Sequence, residues 1–338
     1  RAGRIGGPQP VASAGRCGGL RPRRPREGRG ASLFRSTRRL GPAILRSRWA
    51  ARVGPRRLFH EDFLVSRIYD ALRRAESLRQ GRQVARGAPR SYRVVAVTSN
   101  KGGVGKTTFS LNLAVYLRAM REDLPILVVC LDEQDTVQRM LALGDTPRHA
   151  NVVSGLRAGT FEAAVRLGQY GVHYVPSSRQ VSLLKSEIRT LWHLDETLRR
   201  TAFSGLVILD TKSDLEILTQ NAIAASDLAV VVVKDLASLR EADHLYALAD
   251  SWGRPRERTR VLLSLIDLRV KYAEGEGDIL ALLLASLRKR GYAHFPAFIS
   301  FSRAIEALYT NPSGRALTIL HGAPRSRVHR QMHAVAGD

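Results

Sequence analysis

The chain has 338 residues, and its 54 Lys and Arg against 30 Asp and Glu give a formal charge of +24. Its 44% hydrophobic and 25% charged residues are typical of a globular protein and exclude disorder of the whole chain. Two cysteines exclude a disulfide framework and a cysteine-ligated metal cluster. No apolar run reaches the roughly 18 residues of a membrane span, so we predict a cytoplasmic protein without membrane insertion.

Residues 1–60 carry much of the positive charge, with 16 Arg and a single acid, Glu27. Three interpretations fit this Arg-, Gly- and Pro-rich segment: a disordered basic arm that binds nucleic acid, a transit peptide, or translated sequence upstream of a true start near Leu64. The third rests on the absence of methionine before Met120. Residues 61–90 are predicted to form a helix followed by a polar linker.

The next segment has the order strand, glycine loop, helix. Val94 to Val97 is a β-branched run that predicts a buried strand, and apolar residues at helical spacing begin at Phe109. Between them, glycines would let backbone N–H groups surround phosphate oxygens, and the helix N-terminus would add partial positive charge. We therefore predict a nucleotide-binding loop formed by Lys101, Gly102, Gly103, Val104, Gly105, Lys106, Thr107 and Thr108.

This loop has the deviant form K-G-G-x-G-K-S/T-S/T, through which the sequence resembles the ParA/MinD family of P-loop ATPases. In such a loop Lys106 reaches the β- and γ-phosphates of ATP, and the Thr107 hydroxyl binds Mg²⁺. The resemblance covers about Tyr92 to Leu320. It implies that Lys101 crosses the interface of a homodimer to touch the partner's nucleotide.

A second motif follows the strand Ile126 to Leu131. Asp132-Glu-Gln resembles the D-x-D-P-Q signature of the family, with Asp132 as the second aspartate, so the resemblance makes Asp132 the residue that orients the attacking water. Cys130 and Glu133 then replace the first aspartate and the proline. In the alternative register Asp132 is the first aspartate, which leaves Asp135 unexplained. A third interpretation is that Asp132 only caps the following helix.

A third motif is the strand Leu206 to Leu209, which ends in Asp210-Thr. A Walker B carboxylate at this point would hold Mg²⁺ opposite Thr107. At the two proline positions of the family pattern I-D-T-P-P, this chain has Lys212 and Ser213.

Other apolar runs predict the remaining strands, at Val172–Val175, Leu228–Val233, Arg260–Ile266 and Phe298–Phe301. They are continuous rather than alternating, so both sheet faces should be covered by helices. The predicted fold class is α/β, a doubly wound, mostly parallel sheet flanked by helices, over residues 91–322. Residues 323–338 are predicted to be a basic C-terminal tail.

The resemblance implies a Mg-ATP-dependent ATPase of the ParA type, with slow basal hydrolysis and a stimulating ParB-like partner. It would dimerise on ATP and act as a partitioning or positioning switch. Non-specific binding of double-stranded DNA is expected from three Arg clusters, at residues 254–260, 288–290 and 325–330.

Two alternatives share the same phosphate loop. A MinD-like positioning ATPase needs an amphipathic C-terminal helix, and Ser326 to Asp338 lacks an apolar face wide enough to bury in lipid. A tyrosine kinase of the exopolysaccharide type resembles the chain around Ser66 to Glu76. Such kinases carry a C-terminal tyrosine cluster, whereas the last tyrosine here is Tyr309.

Overall fold

The apolar runs of the sequence form one seven-stranded sheet in the computed structural model, which describes residues 90–144, 149–271, 278–310 and 316–338. The strands are β1 Tyr92–Thr98, β2 Ile126–Cys130, β3 Arg166–Leu167, β4 His173–Val175, β5 Gly205–Asp210, β6 Leu228–Val233 and β7 Thr259–Leu263. The predictions for residues 1–60 and for the helix and linker up to residue 89 lie outside the described residues.

The strand order is β3-β4-β2-β5-β1-β6-β7. All neighbouring strands are parallel except β3, which pairs antiparallel with β4. Parallel strands need crossover connections, and here helices supply most of them. The helices are α1 Lys106–Met120, α2 Thr136–Leu141, α3 Val152–Ala158, α4 Leu184–Glu187, α5 His193–Arg199, α6 Ile217–Ala225, α7 Leu236–Ser251, α8 Ile279–Arg290, α9 Arg303–Ala307, α10 Ile319–Gly322 and α11 Arg327–Gly337.

Helices cover both faces of the sheet, as the continuous apolar runs predict. In β6, Val230 and Val232 pack into the cluster that contains α1 and α11, while Val231 and Val233 pack into the cluster that contains α7 and α8. The doubly wound α/β fold is therefore confirmed. Among the described residues, no helix combines the length and the apolar character that crossing a membrane requires.

Three details differ from the sequence-based expectation. Phe298–Phe301 is not a regular strand; Ser300 makes only an isolated bridge to Ile266. The two-residue strand β3 was not predicted, because two residues carry no periodic pattern. Within the predicted basic tail, residues 327–337 form the helix α11, whose Val328, Met332 and Val335 are buried against the core.

Candidate functional site

The three sequence motifs meet at the carboxyl edge of the sheet. Strand β5 lies between β1 and β2, and its last residue, Asp210, is in register with Val97 on one side and Cys130 on the other. The loops that follow β1 and β2 therefore flank Asp210. In open α/β sheets, ligands bind in this place, outside the carboxyl ends of the strands.

The phosphate loop turns sharply into α1. Gly105, the residue before the helix, has φ 92°, in the left-handed region that glycine tolerates, and its carbonyl accepts the N–H of Phe109 at 2.9 Å. A Cβ atom on Gly105 would also lie 3.2 Å from Ser264 Oγ. Gly102 and Gly103 are exposed, whereas Val104 is buried. The loop thus presents its backbone to solvent and is anchored by an apolar residue.

Lys106 points into this site rather than into solvent. Its side chain is only 6% exposed, and its Nζ donates a hydrogen bond to Ser213 Oγ on the loop after β5. Burial lowers the pKa of Lys106, and the nearby carboxylates of Asp210, Asp132 and Asp214 oppose that shift. The ammonium is therefore desolvated, which strengthens its attraction for an anion placed beside it.

Asp210 is fully buried beside the phosphate loop. Ser110 Oγ donates to its Oδ1 at 2.9 Å, and the Thr107 hydroxyl also bonds it. Cys130 Sγ, from the last residue of β2, lies 3.7 Å from Oδ2. Burial raises the pKa of Asp210 to about 6, although the bonds from Thr107 and Ser110 and the charge of Lys106 lower it.

The structure brings Asp132 to the site and leaves Asp135 outside it. Asp132 is half-buried, accepts the N–H of Glu133 at 2.6 Å, and acts electrostatically on Lys106 and Asp210. Asp135 is exposed, lies directly before α2, and has Arg139 as its charged neighbour at 4.0 Å. Asp132 is therefore the carboxylate of the second motif that lies near Lys106 and Asp210.

Lys101 has a partner within its own chain. Its Nζ lies 2.7 Å and 3.0 Å from the two carboxylate oxygens of Asp235, which begins α7 at the end of neighbouring strand β6. The resemblance implies that Lys101 reaches a second subunit. In this chain it can do so only after leaving Asp235.

Several residues of the site were missed in the sequence. Ser110 lies one helical turn after Lys106 and so faces the same side of α1, a spacing that could have identified it. The residues that pair with Lys101 and Lys106 come from distant parts of the chain, so no local sequence pattern predicts these contacts. The missed residues are Ser110, Ser213, Asp235, Lys212 and Tyr309. Lys212 pairs with Glu133, and the Tyr309 hydroxyl donates to Thr108 Oγ1 at 2.9 Å.

The Arg clusters are less uniform than the sequence suggests. Arg254 is not a surface residue for DNA: it donates to Ile223 O at 2.7 Å and to Ser226 O at 3.0 Å, and burial lowers its pKa to about 10. Arg256 and Arg290 are paired with acids of α7. The basic residues of the clusters that remain exposed and outside such pairs are Arg258, Arg260, Arg288, Lys289, Arg325, Arg327 and Arg330.

Comparison with known proteins agrees with this arrangement. The sequence model of the AAA domain family matches residues 92–247, which contain all three motifs. The chain is 31% identical over 148 residues to the chromosome partitioning protein ParA of Caulobacter vibrioides, and 27% identical over 187 residues to the septum site-determining protein MinD of Thermotoga maritima. Residues 92–247 thus match a AAA domain, and the relatives that the chain resembles include ParA and MinD proteins.

The match to these relatives is partial. The alignments span 41% of this chain and 55% of ParA, and 51% of this chain and 63% of MinD. The AAA domain fold is also shared with the solved structure of MinD from Pyrococcus horikoshii in complex with Mg-ADP, at 17% identity and a TM-score of 0.53, over 72% of this chain and 94% of that one. At that identity the likeness concerns the fold.

Proposed function

We propose that this protein is a Mg-ATP-dependent, dimerising ATPase of the ParA type that acts as a partitioning or positioning switch in the cytoplasm. The observation that carries the proposal is the meeting of Lys106, Asp132 and Asp210 at the ends of three neighbouring strands, beside the glycine loop. A desolvated cation and two carboxylates around a phosphate-binding loop are the groups that phosphoryl transfer to water requires.

The residues of the site would have different roles in binding and hydrolysis. The backbone N–H groups from Gly102 to Thr108 would bind phosphate oxygens, and Lys106 would exchange Ser213 for the β- and γ-phosphates. Asp132 would accept a hydrogen bond from the attacking water and orient it in line with the γ-phosphate. Catalysis of this kind rests on positioning and charge stabilisation, because the protein forms no covalent intermediate.

The donor set beside the loop fits Mg²⁺. The Thr107 hydroxyl and the Asp210 carboxylate are hard oxygen donors already joined by a hydrogen bond. Within the described residues no group of three His, Cys, Asp or Glu side chains is placed to hold a metal alone, and Mg²⁺ commonly takes one or two protein oxygens together with phosphates and water. When bound, Mg²⁺ would neutralise charge on the transferred phosphoryl group.

The exposure of Lys101 supports the proposed dimerisation. Lys106 already supplies a cation to the phosphate loop of its own chain, and Lys101 is one-third exposed at the mouth of the site. In a dimer, Lys101 would leave Asp235 and bind the nucleotide of the second subunit instead. A stimulating partner of the ParB kind and non-specific double-stranded DNA complete the proposal.

The two alternative functions gain no support from the described residues. Tyr309 is half-buried with its hydroxyl bonded to Thr108, which does not suit a phosphorylated tyrosine. The apolar side of α11 packs on α1, so Val328, Met332 and Val335 are covered by protein rather than available to lipid.

The experiment that tests the proposed function compares two aspartates. Asp132→Ala should lower Mg-dependent ATP turnover about a hundredfold while ATP binding is retained, because only the orientation of the water is lost. Asp135→Ala, its matched control, should keep turnover within about twofold. Steady-state phosphate release and equilibrium binding of a fluorescent ATP analogue measure the two properties. Loss of turnover in Asp135→Ala alone would move the catalytic role to the other register.

Asp210→Asn tests the carboxylate at the proposed Mg²⁺ site through pH. Because burial raises the folded pKa to about 6 from 3.8, folded Asp210 binds protons more tightly than unfolded Asp210, and wild-type stability falls as pH rises through this range. Relative to Asp210→Asn, the nucleotide-free wild type should lose about 1.4 kcal/mol between pH 5 and pH 7.5. Urea unfolding at both pH values measures this difference. Parallel pH profiles of the two proteins would contradict the raised pKa.

A further inference from the structure

One ion pair links the two loops that flank Asp210. Lys212, on the loop after β5, places its Nζ 3.0 Å from Oε1 of Glu133, on the loop after β2. Both side chains are about one-third exposed, at 37% and 34%. The pair therefore connects the loop of the proposed water-orienting residue, Asp132, with the loop of Ser213, which holds Lys106.

The Lys212 end of the pair is built on a fixed support. Thr211, the preceding residue, is fully buried, and both its N–H and its hydroxyl donate to Val97 O, at 3.2 Å and 3.0 Å. Lys212 thus extends from a point bonded to strand β1, directly before the phosphate loop. A cation on such a support can hold its partner in one place.

The Glu133 end is in direct contact with Asp132. The backbone N–H of Glu133 donates to Asp132 Oδ1 at 2.6 Å, so the orientation of the carboxylate depends on the backbone of Glu133. The N–H of Leu131 donates to Asp210 O at 2.8 Å, and further along the loop Gln134 O accepts a hydrogen bond from Ser177 Oγ at 2.6 Å. The side-chain tie at Glu133 fixes the loop between these two points.

Both residues stand where the ParA/MinD pattern has proline. Glu133 occupies the proline position of D-x-D-P-Q, and Lys212 occupies the first proline position of I-D-T-P-P. A proline restricts its own φ and the conformation of the residue before it. With both prolines absent, each loop gains backbone freedom next to the site, and a cross-link between the loops removes part of that freedom.

The contribution of this pair to global stability is small. Ion pairs this exposed add little to folding stability, because solvent screens the charges and two long side chains lose entropy. Catalysis is more sensitive, since a displacement of about 1 Å in a catalytic group can cost about a hundredfold in rate.

We propose that the Glu133–Lys212 ion pair is a positioning device for ATP hydrolysis, which holds the Asp132 carboxylate in place by tying its loop to the loop after β5. The inference rests on the proposed ATPase function. Neither Glu133 nor Lys212 is assigned a contact with the reacting atoms. Their effect is exerted through Asp132.

The test uses the full chain with Lys212→Ala, Glu133→Ala and the double variant. Each single variant should lower kcat about ten- to thirtyfold, while KM and the Kd for a non-hydrolysable ATP analogue stay within about threefold. The double variant should be no slower than either single variant, because the two residues act as one unit. Lys212→Arg, which keeps the charge and the pairing, should retain at least about half of wild-type kcat.

A matched control is the ion pair of Arg157 and Glu187, whose Nη2 and Oε1 atoms lie 2.6 Å apart. Arg157→Ala should leave kcat unchanged within about twofold. Wild-type turnover that persists in Lys212→Ala would overturn the inference alone. Losses that multiply in the double variant, or a change confined to KM, would also overturn it, because they indicate independent roles or direct nucleotide contact. A wild-type protein that binds ATP without any turnover would overturn the proposed function, and the inference with it.

Discussion

Lys106→Ala is expected to lower Mg-dependent ATP turnover by at least about a hundredfold. The side chain is 6% exposed and lies near the carboxylates of Asp132, Asp210 and Asp214, so the variant leaves these negative charges beside the phosphates without that cation. Both the bound nucleotide and the transition state lose a desolvated cation, so ATP affinity should fall as well. Phosphate release and nucleotide binding, each with and without Mg²⁺, measure the two losses.

The control for this variant is its stability. Burial lowers the pKa of Lys106, which means that the nucleotide-free fold gains little from its charge. Lys106→Ala should therefore unfold at a temperature close to that of the wild type. Lys289→Ala, at an exposed lysine of α8, should change neither activity nor stability. Undiminished turnover in Lys106→Ala would remove Lys106 from the site.

The parts of the fold that sequence predicts are those with strong local signals. The apolar run Leu228–Val233 coincides with β6, and the glycine loop lies between β1 and α1 as the motif requires. These features are predictable because backbone hydrogen bonds and burial act on neighbouring residues. The position of Asp210 follows from the same logic, since a residue at the end of a central parallel strand lies at the ligand-binding edge.

The side-chain partners in the site could not be predicted in this way. Asp235 and Lys101 are 134 positions apart, and their meeting depends on β6 lying next to β1 in the sheet. A sequence pattern gives strands but not their lateral order. For Arg254 the sequence suggested a wrong environment. Its place among other arginines predicts an exposed residue, whereas its guanidinium donates to backbone carbonyls at the end of α6.

The fold also changes which arginines could contact DNA in an ATP-bound dimer. Strand β7 is parallel to β6 and begins at Thr259, so Arg258 lies at the amino edge of the sheet, opposite the phosphate loop. Met332 of α11 lines a cavity near the other edge, together with Gly105 and Thr108. We therefore propose that the exposed arginines at and just before the start of this helix, rather than Arg258, are the DNA contacts of a dimer.

With ATP trapped by Asp132→Ala, the protein is expected to dimerise and to bind double-stranded DNA without sequence preference. Two copies of Arg325, Arg327 and Arg330 would neutralise about six phosphates, so affinity should fall roughly a thousandfold between 50 and 200 mM salt. Removing these arginines by alanine substitution should weaken binding and flatten the salt dependence, whereas the matched change at Arg258 and Arg260 should do neither.

Lys101→Ala decides whether DNA binding depends on the dimer. Without Lys101 the partner's nucleotide loses a cation, so dimerisation and DNA binding should be lost together, while each subunit retains Lys106 and binds ATP. The measurement compares ATP-bound with nucleotide-free protein, in the whole chain and in a variant that begins at residue 61, because the 16 arginines of residues 1–60 would bind DNA in either state. The contrary outcome is a shortened protein that dimerises with ATP and fails to bind DNA at low salt. That result would contradict the proposed DNA binding and favour a protein scaffold as the surface on which the dimer acts.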